Sequence, residues 1–256
     1  MKITKRGSQV YFIGAGPGDP DLITVKGHEC IQQADLVLYT GSLVPKEVVA
    51  CAKENAKIVD SSSMTLNETH AMILETVRSG GTVARVHTGD PSLYGAIKEQ
   101  MILLDHNGIS YEIIPGVTVA FAAAAAAKIA FTLPEKVQTL IFTRMEGRTP
   151  VPDRERLRDL ARHNTSMALY LSSSDPDSVV KELMAGGYSR ETPVVVAYRV
   201  GWPDELLVTT QLSALADVVK EKGIHKQAVF LVLPGQKDDP VFSRLYSPEF
   251  SHGFRK

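Results

Sequence analysis

The sequence predicts an α/β protein of two domains, and three observations support this fold class. Strand-like apolar runs alternate with helical segments over residues 10–114, which is typical of a largely parallel sheet covered by helices on both faces. These runs are continuously apolar, as in strands buried on both sides. The chain has 256 residues, enough for two domains of about 100–150 residues each. We expect an N-terminal α/β domain over residues 1–117, a C-terminal α/β domain over residues 118–236 and a tail over residues 237–256.

The first half of the sequence carries five predicted strands separated by helices. Asp19 or Asp21 suits the N-cap of the first helix, and Pro45 suits the first turn of the second. Gly80 and Gly81 end the third helix, and the near-pure alanine segment 120–127 favours a helix by intrinsic propensity. The predicted strands are residues 10–13, 36–39, 57–60, 82–87 and 111–114, and the predicted helices are 22–33, one from Pro45, 67–78, 95–107 and 120–127.

The second half shows a different rhythm and predicts a mixed sheet. Its strands are expected at residues 139–143, 168–171, 194–198, 206–210 and 229–233, with helices at 153–163, 176–185 and 212–221. The turn signal Trp202-Pro203-Asp204 has no helix around it, so the last strands include candidates for antiparallel pairing.

Composition excludes several classes of protein. The formal net charge of −1 argues against a surface built for nucleic acid, which is usually clearly basic. The two cysteines, Cys30 and Cys51, belong to no spacing that suggests zinc, and we expect no metal site. Residues 1–7 lack the apolar run of a secretory signal, and the apolar segment 117–127 is too short to span a membrane. We therefore expect a cytoplasmic protein that binds neither nucleic acid nor membrane.

The first strand runs into the glycine-rich turn Gly14-Ala15-Gly16-Pro17-Gly18-Asp19, which does not fit a dinucleotide site. Its spacing is G-x-G-x-G, Pro17 removes a backbone N–H, and Asp19 places a negative charge where a pyrophosphate would lie. The second strand ends without an acidic residue to hold a ribose hydroxyl. Two interpretations stay open, namely a tight turn without a ligand and a rigid rim against which a large flat substrate presses.

Four segments together resemble the tetrapyrrole methylase family, and all lie at predicted strand ends, where open α/β sheets place ligands. They are residues 10–24 (VYFIGAGPGDPDLIT), 83–95 (VARVHTGDPSLYG), 114–118 (IPGVT) and 197–205 (AYRVGWPDE). Within the family, residues 40–44, 87–95 and 201–205 are most similar to members that methylate C11 of precorrin-4. Siroheme-pathway members usually carry Lys-Gly-Gly-Asp-Pro where this chain has His87-Thr88-Gly89-Asp90-Pro91.

The resemblance implies an activity and a cofactor. The expected reaction is methyl transfer from S-adenosyl-L-methionine, released as S-adenosyl-L-homocysteine, to C11 of precorrin-4 or its cobalt form in cobalamin biosynthesis. The expected partner is this acidic tetrapyrrole, and the family implies a homodimer. Alternatives are methylation at C17 or C20, an RNA ribose methyltransferase, a non-catalytic tetrapyrrole carrier and, least favoured, a dehydrogenase.

The resemblance also assigns site residues, with a ligand cleft between the two domains. The donor would contact Thr88, Gly89, Asp90, Leu93, Thr118, Val119, Leu171, Ala197, Tyr198, Arg199 and Val200. The glycine-rich turn, with Gly14, Gly16, Pro17, Gly18 and Asp19, would face the tetrapyrrole.

The chemistry of the substrate adds further candidates. Arginine forks match carboxylates, so Arg144 and Arg148, which flank a strand end and a loop, are candidates together with His87. A structural histidine and a turn-forming Asp90 are the alternatives at those two positions. Arg154, Arg156, Arg158 and Arg162 alternate with acidic residues and predict a solvated, salt-bridged helix face. No residue is assigned as a general acid or base, because methyl transfer from an activated donor needs mainly alignment and exclusion of water.

Overall fold

The computed structural model describes residues 7–237, 242–251 and 253, and these residues form two compact units. The first unit contains residues up to Ala122 together with Arg199–Glu205, and the second contains Ala123–Tyr198 and the residues from Leu206 onward. The units differ in two places from the domains expected from sequence, because residues 118–122 and 199–205 group with the first unit.

The first unit is built on a five-stranded parallel sheet. Its strands are β1 (Val10–Gly14), β2 (Leu36–Tyr39), β3 (Lys57–Asp60), β4 (Val83–His87) and β5 (Tyr111–Ile114), in the spatial order β3-β2-β4-β1-β5. All four pairings are parallel, as the alternation of strands and helices predicts. The carboxyl ends of β1, β4 and β5 therefore lie side by side at one edge of the sheet.

Helices cover both faces of this sheet, which explains why its central strands are fully buried. The helices are α1 (Val25–Gln33), α2 (Lys46–Val49), α3 (Leu66–Arg78) and α4 (Lys98–His106); a fifth helix, α5 (Val119–Ala126), begins in this unit and ends in the second. One core joins alternate strand residues such as Ile13 and Val86 to Ile31 of α1 and Val48 of α2. The other joins the remaining positions to α3 and α4, with Phe12 and Leu104 completely buried.

The first helix begins later than the sequence predicts. Thr24 is its N-cap and accepts a hydrogen bond from the Gly27 N–H at 3.1 Å. Asp19 instead caps a short 3-10 turn, Pro20–Leu22, where its carboxylate accepts from the Asp21 N–H at 2.9 Å. Two capping residues follow each other closely here, and the sequence does not decide which of them starts the longer helix.

The second unit has the mixed sheet that the turn signal predicts. Its strands are β6 (Leu140–Arg144), β7 (Ser166–Tyr170), β8 (Pro193–Tyr198), β9 (Leu206–Gln211) and β10 (Ala228–Val232), in the order β6-β7-β10-β8-β9. Only the β6–β7 pair is parallel. The helices α6 (Leu157–Ala161), α7 (Pro176–Gly186) and α8 (Leu215–Glu221) pack with the sheet around Phe230 and Leu169.

The arginine-rich segment lies at the surface as predicted. A 3-10 turn, Asp153–Glu155, precedes the short helix α6, so the expected helix over 153–163 is interrupted. Arg158 pairs with Glu182 at 2.8 Å, and Arg162 with Asp159 at 3.2 Å. The predicted tail, 237–256, contains the 3-10 turn Arg244–Tyr246, whereas residues 238–241, 252 and 254–256 lie outside the described residues. No helix in the described ranges is long and apolar enough to cross a bilayer.

Candidate donor and substrate site

The carboxyl ends of β1, β4 and β5 meet backbone against backbone at three glycines. An added Cβ at Gly14 would lie 2.5 Å from the Gly116 Cα and 2.6 Å from the Gly89 carbonyl oxygen. One at Gly116 would lie 2.1 Å from the same oxygen. Gly16 and Gly89 also form an isolated antiparallel bridge, with a Gly89 N–H to Gly16 carbonyl bond of 2.7 Å. The glycines of three separate motifs thus form one closely packed strand-end junction, where a side chain on Gly14 or Gly116 would force the backbones apart.

The carboxylate of Asp90 links two of the loops of this junction by hydrogen bonds. Its Oδ2 accepts a hydrogen bond from the Gly116 N–H at 3.0 Å, and its Oδ1 accepts from the Ser92 N–H at 2.8 Å and from the Ser92 hydroxyl. Desolvation alone would raise the pKa of Asp90, but the bonds from Ser92 and Gly116 outweigh it and hold the pKa below its usual value. Asp90 is therefore an ionised acceptor that forms the turn and also joins β4 to the loop after β5.

The glycine-rich turn is more enclosed than a bare rim would be. Gly14, Gly16, Pro17 and Gly18 are buried, and only Asp19 is partly exposed. Trp202 lies directly on Gly18, since an added Cβ there would be 2.3 Å from the indole Cδ1. The expectation that this turn offers exposed backbone to a substrate therefore needs correction, because residues 199–205 cover part of it.

Left-handed backbone at non-glycine residues coincides with several predicted donor segments. Tyr94 and Arg199 of the first unit have φ of 56° and 47°, and Leu171 of the second has φ of 52°. Such a conformation costs a non-glycine residue about 1–2 kcal/mol, and it clusters at functional sites. Leu171, just after β7, and Arg199, just after β8, thus have backbone conformations of this kind, which also occur elsewhere in the described chain, for example at Lys128.

The predicted donor residues of the first unit are accessible with one exception. Thr88, Gly89, Asp90, Leu93, Thr118, Val119 and Arg199 are partly exposed, whereas Val200 is buried. In the second unit Leu171 is 66% exposed, Tyr198 is partly exposed and Ala197 is fully buried. Any contact from Val200 or Ala197 would therefore be through the backbone.

His87 is a buried residue, which favours its structural interpretation. It is the last residue of β4 and pairs with Gly14, and its Nε2 is buried without a hydrogen-bond partner. Burial, with a smaller contribution from the nearby Arg85, lowers the pKa of His87 to about 3. The ring is therefore neutral and closed to solvent. It offers no exposed positive charge to a tetrapyrrole carboxylate, so the predicted contact with the substrate needs correction.

Arg85, in the middle of β4, belongs to a buried polar network beside the site. It is buried and donates to the Gln100 side chain at 3.1 Å, the Ser61 hydroxyl at 2.8 Å and the Leu38 carbonyl at 3.3 Å. Burial lowers the pKa of Arg85 to about 10. An arginine within an otherwise apolar strand is the feature of the sequence that indicates such a polar network.

The two arginines expected to bind substrate lie in the second unit and differ from each other. Arg144, at the end of β6, donates to the carbonyls of Met145, Thr149 and Pro150 at 3.3, 3.2 and 2.7 Å. It therefore folds the loop 145–150 around its own guanidinium. Arg148 lies exposed within that loop, so its side chain is accessible to an anion.

Two side chains that make contacts at the site were not predicted from the sequence. Ser92 bonds to Asp90, and Trp202 packs on Gly18. Ser92 follows Asp90 by two positions, the spacing of an Asx turn, so a local signal exists. Trp202 belongs to a recognised segment, but nothing in the sequence indicates that it lies on Gly18.

Comparison with known proteins agrees with this arrangement. A family model described as tetrapyrrole (corrin/porphyrin) methylases matches residues 9–216. The cobalt-precorrin-4 C(11)-methyltransferase of Priestia megaterium is 50% identical over 252 residues, covering 97% of this chain and 98% of that protein.

Two solved structures extend the comparison. An X-ray structure of a cobalt precorrin-4 methyltransferase of cobalamin biosynthesis has a TM-score of 0.87 at 51% identity, covering 91% of this chain and 98% of that one. The uroporphyrin-III C-methyltransferase of Thermus thermophilus, complexed with S-adenosylhomocysteine, has a TM-score of 0.73 at 26% identity. The match covers 88% of this chain and 97% of that one. On the family match and these relatives, the chain belongs to the tetrapyrrole methylase family.

Proposed function

We propose that this protein transfers a methyl group from S-adenosyl-L-methionine to C11 of precorrin-4, in its cobalt form, during cobalamin biosynthesis. The observation that carries the proposal is the 50% sequence identity with a cobalt-precorrin-4 C(11)-methyltransferase, which extends over nearly the whole of both chains. The strand-end junction of Gly14, Gly89 and Gly116 supports it, because motifs distant in sequence are packed together there.

The residues at the proposed donor site fit such a molecule chemically. The donor supplies a methyl group on a positively charged sulfonium sulfur and leaves as S-adenosyl-L-homocysteine. Asp90 is an ionised carboxylate whose three observed donors leave capacity for another hydrogen bond. An added Cβ at Gly89 would come no closer than 3.7 Å to Thr118, so the backbone of Gly89 is approachable. The exposed side chain of Leu171 supplies an apolar surface suited to a nucleobase.

The protein contributes mainly by holding its ligands in place. Alignment of two reactants can supply about 7–11 kcal/mol of barrier reduction without a general acid or base. The junction is suited to this task because its loops are fixed by backbone contacts and by the Asp90 carboxylate rather than by long side chains. We propose Thr88, Gly89, Asp90, Leu93, Thr118, Val119, Arg199 and Val200 of the first unit, with Leu171, Ala197 and Tyr198 of the second, as the donor-binding residues.

For the tetrapyrrole, we propose a contact at Asp19, the partly exposed end of a turn whose residues 14–18 are buried. We propose Arg148 as a carboxylate ligand. Arg148 is exposed in a loop, and a guanidinium can bind a carboxylate through two parallel hydrogen bonds. Arg144 holds that loop in shape through hydrogen bonds to its carbonyls. His87 pairs with Gly14 in the sheet and has a structural role as a neutral, buried residue.

The test is incubation of the purified protein with the donor and with cobalt-precorrin-4 or metal-free precorrin-4, in separate reactions. We expect S-adenosyl-L-homocysteine to accumulate and the tetrapyrrole to gain the mass of one CH2 group, with a higher kcat/KM for the cobalt form. Donor binding without turnover on either form would favour a carrier and contradict the proposal. Equal or better turnover of the metal-free form would reject the cobalt assignment alone.

We also propose a cytoplasmic location and, on the family resemblance, a homodimer. Light scattering of the purified protein measures the oligomer, and a mass equal to a single chain would contradict it. An RNA ribose methyltransferase is disfavoured because its polyanionic substrate calls for a basic surface, whereas the net charge here is −1.

A further inference from the structure

The segment 199–205 forms a compact turn with its own internal contacts. The Trp202 N–H donates to the Arg199 carbonyl at 3.0 Å, and the Glu205 carboxylate accepts from the Gly201 N–H at 2.7 Å. The Arg199 guanidinium lies 4.2 Å from the centre of the Trp202 ring and pairs with Asp204 at 2.8 Å. The indole is therefore fixed on one side by a stacked cation.

On its other side this turn contacts the glycine-rich loop at two adjacent positions. An added Cβ at Gly18 would lie 2.3 Å from the Trp202 Cδ1, 2.5 Å from its Nε1 and 3.0 Å from the Val200 carbonyl oxygen. An added Cβ at Gly201 would lie 2.6 Å from the Asp19 backbone nitrogen. Glycine is thus required on both sides, and the two segments approach as closely as their backbones allow.

We infer that Trp202 is a positioning residue that sets the conformation of the loop Gly14–Asp19 for the tetrapyrrole. The inference rests on the proposed function, in which the Asp19 end of this loop contacts the substrate and Arg199 and Val200 contact the donor. Trp202 lies between these two sets of residues and contacts both, through Gly18 on one side and Arg199 on the other.

The contact supports a role in alignment for residues 17–19 of the loop. Backbone hydrogen bonds to His87 and Gly89 hold Ala15 and Gly16 at the start of the loop. Beyond them no side chain is larger than that of Pro17, and Asp19 is engaged in capping the following 3-10 turn. Without the indole, Gly18 would lose the flat surface on which it rests. A displacement of about 1 Å at a binding surface can cost about 10²-fold in rate.

The experiment compares Trp202→Ala and Trp202→Phe with the wild-type enzyme. For Trp202→Ala we expect the KM for the tetrapyrrole to rise about tenfold or more, which corresponds to the loss of one good contact. The donor dissociation constant, measured without tetrapyrrole, should stay within about twofold, because Arg199 keeps its ion pair with Asp204. Phe keeps a flat apolar ring and should recover much of the lost affinity.

Gly18→Ala provides the second arm through a double-mutant cycle. In the wild-type background the new methyl group meets the indole, so Gly18→Ala should raise the KM for the tetrapyrrole and lower the melting temperature. In the Trp202→Ala background the same change should cost clearly less in both measurements. Trp202 is the sole tryptophan, so a shifted emission spectrum of Gly18→Ala should report the displaced ring directly.

The outcomes separate the inference from the function on which it rests. An active wild-type enzyme with an unchanged KM in folded Trp202→Ala overturns the inference alone, as do strictly additive effects of the two substitutions. An equal loss of donor and tetrapyrrole affinity in Trp202→Ala also overturns it, because that pattern indicates a purely structural residue. A wild-type enzyme that transfers no methyl group to either tetrapyrrole overturns the proposed function and the inference together.

Discussion

The carboxylate of Asp90, in the loop after β4, accepts a hydrogen bond from the N–H of Gly116, in the loop after β5, at 3.0 Å. This bond joins two segments that are neighbours of β1 on opposite sides in the sheet. It also gives the carboxylate a structural task besides any contact with the donor. Removal of Asp90 should therefore affect stability and ligand binding together.

Asp90→Ala should weaken donor binding about tenfold or more and lower the free energy of unfolding. A hydrogen bond to a charged group is worth about 1.5–3 kcal/mol, and the substitution leaves the Gly116 N–H without its acceptor. Titration calorimetry with the donor and chemical denaturation measure the two effects. Ser92→Ala is the matched control, since it removes the hydroxyl contact with Asp90 and keeps the bond to Gly116. Unchanged donor affinity in folded Asp90→Ala would argue against Asp90 as a donor-binding residue.

Gly116→Ala should destabilise the first unit by about 1–3 kcal/mol or more, in the manner of an overpacked core. Its Cβ would lie 2.1 Å from the Gly89 carbonyl oxygen, a backbone atom that cannot move without disturbing the bridge to Gly16. Gly147→Ala is the control, because no atom lies within 4 Å of a Cβ at that position. Thermal unfolding measures both variants. Equal melting temperatures for the two would contradict the close packing of the strand ends.

Leu171→Gly should stabilise the fold and weaken donor binding. Glycine relieves about 1–2 kcal/mol of left-handed strain and costs about 0.5–1 kcal/mol in conformational entropy, which leaves a small net gain. The proposed apolar contact with the donor is lost at the same time. Lys128→Gly, at a φ of 56°, should give a similar gain in melting temperature with unchanged donor affinity. A Leu171→Gly protein with full donor affinity would remove Leu171 from the proposed site.

His87→Leu should make stability less dependent on pH on the acid side. The pKa of His87 is lowered to about 3 in the folded state, against an ordinary value of about 6.5. Its contribution is therefore complete above about pH 6.5 and is lost as pH falls toward 3, by at most about 1.4 kcal/mol per pH unit. Chemical denaturation across this range should show the wild type losing stability faster than the variant. Parallel curves for the wild type and His87→Leu would refute the buried, neutral histidine.

The strands were predictable because their apolar runs are continuous and bounded by glycine, proline or polar residues. All ten strands form at the expected places, and only their ends differ by one or two residues. The ends of the helices were less predictable, because neighbouring residues compete to start or to interrupt a helix. Thr24 rather than Asp19 or Asp21 starts α1, and the charged segment 153–163 is interrupted at Arg156, whose backbone is not helical.

The relations between segments were less predictable, because they depend on strand order and register. That Gly14, Gly89 and Gly116 touch follows from β1 lying between β4 and β5, which spacing along the chain does not encode. The enclosure of Gly18 depends likewise on Trp202, a residue far away in sequence. His87 was a candidate ligand because it lies at a strand end, with a structural histidine as the alternative, and its enclosed ring beside Phe12 favours the alternative.

The central claim is methylation of one particular carbon, and the most direct test is to locate the new methyl group. Precorrin-4 or its cobalt form is incubated with the protein and with donor carrying a 13C-labelled methyl group, and the product is examined by NMR. The account predicts a single new labelled methyl resonance with couplings that place it at C11. A labelled methyl at C17 or C20, or label recovered only in unreacted donor, would contradict it.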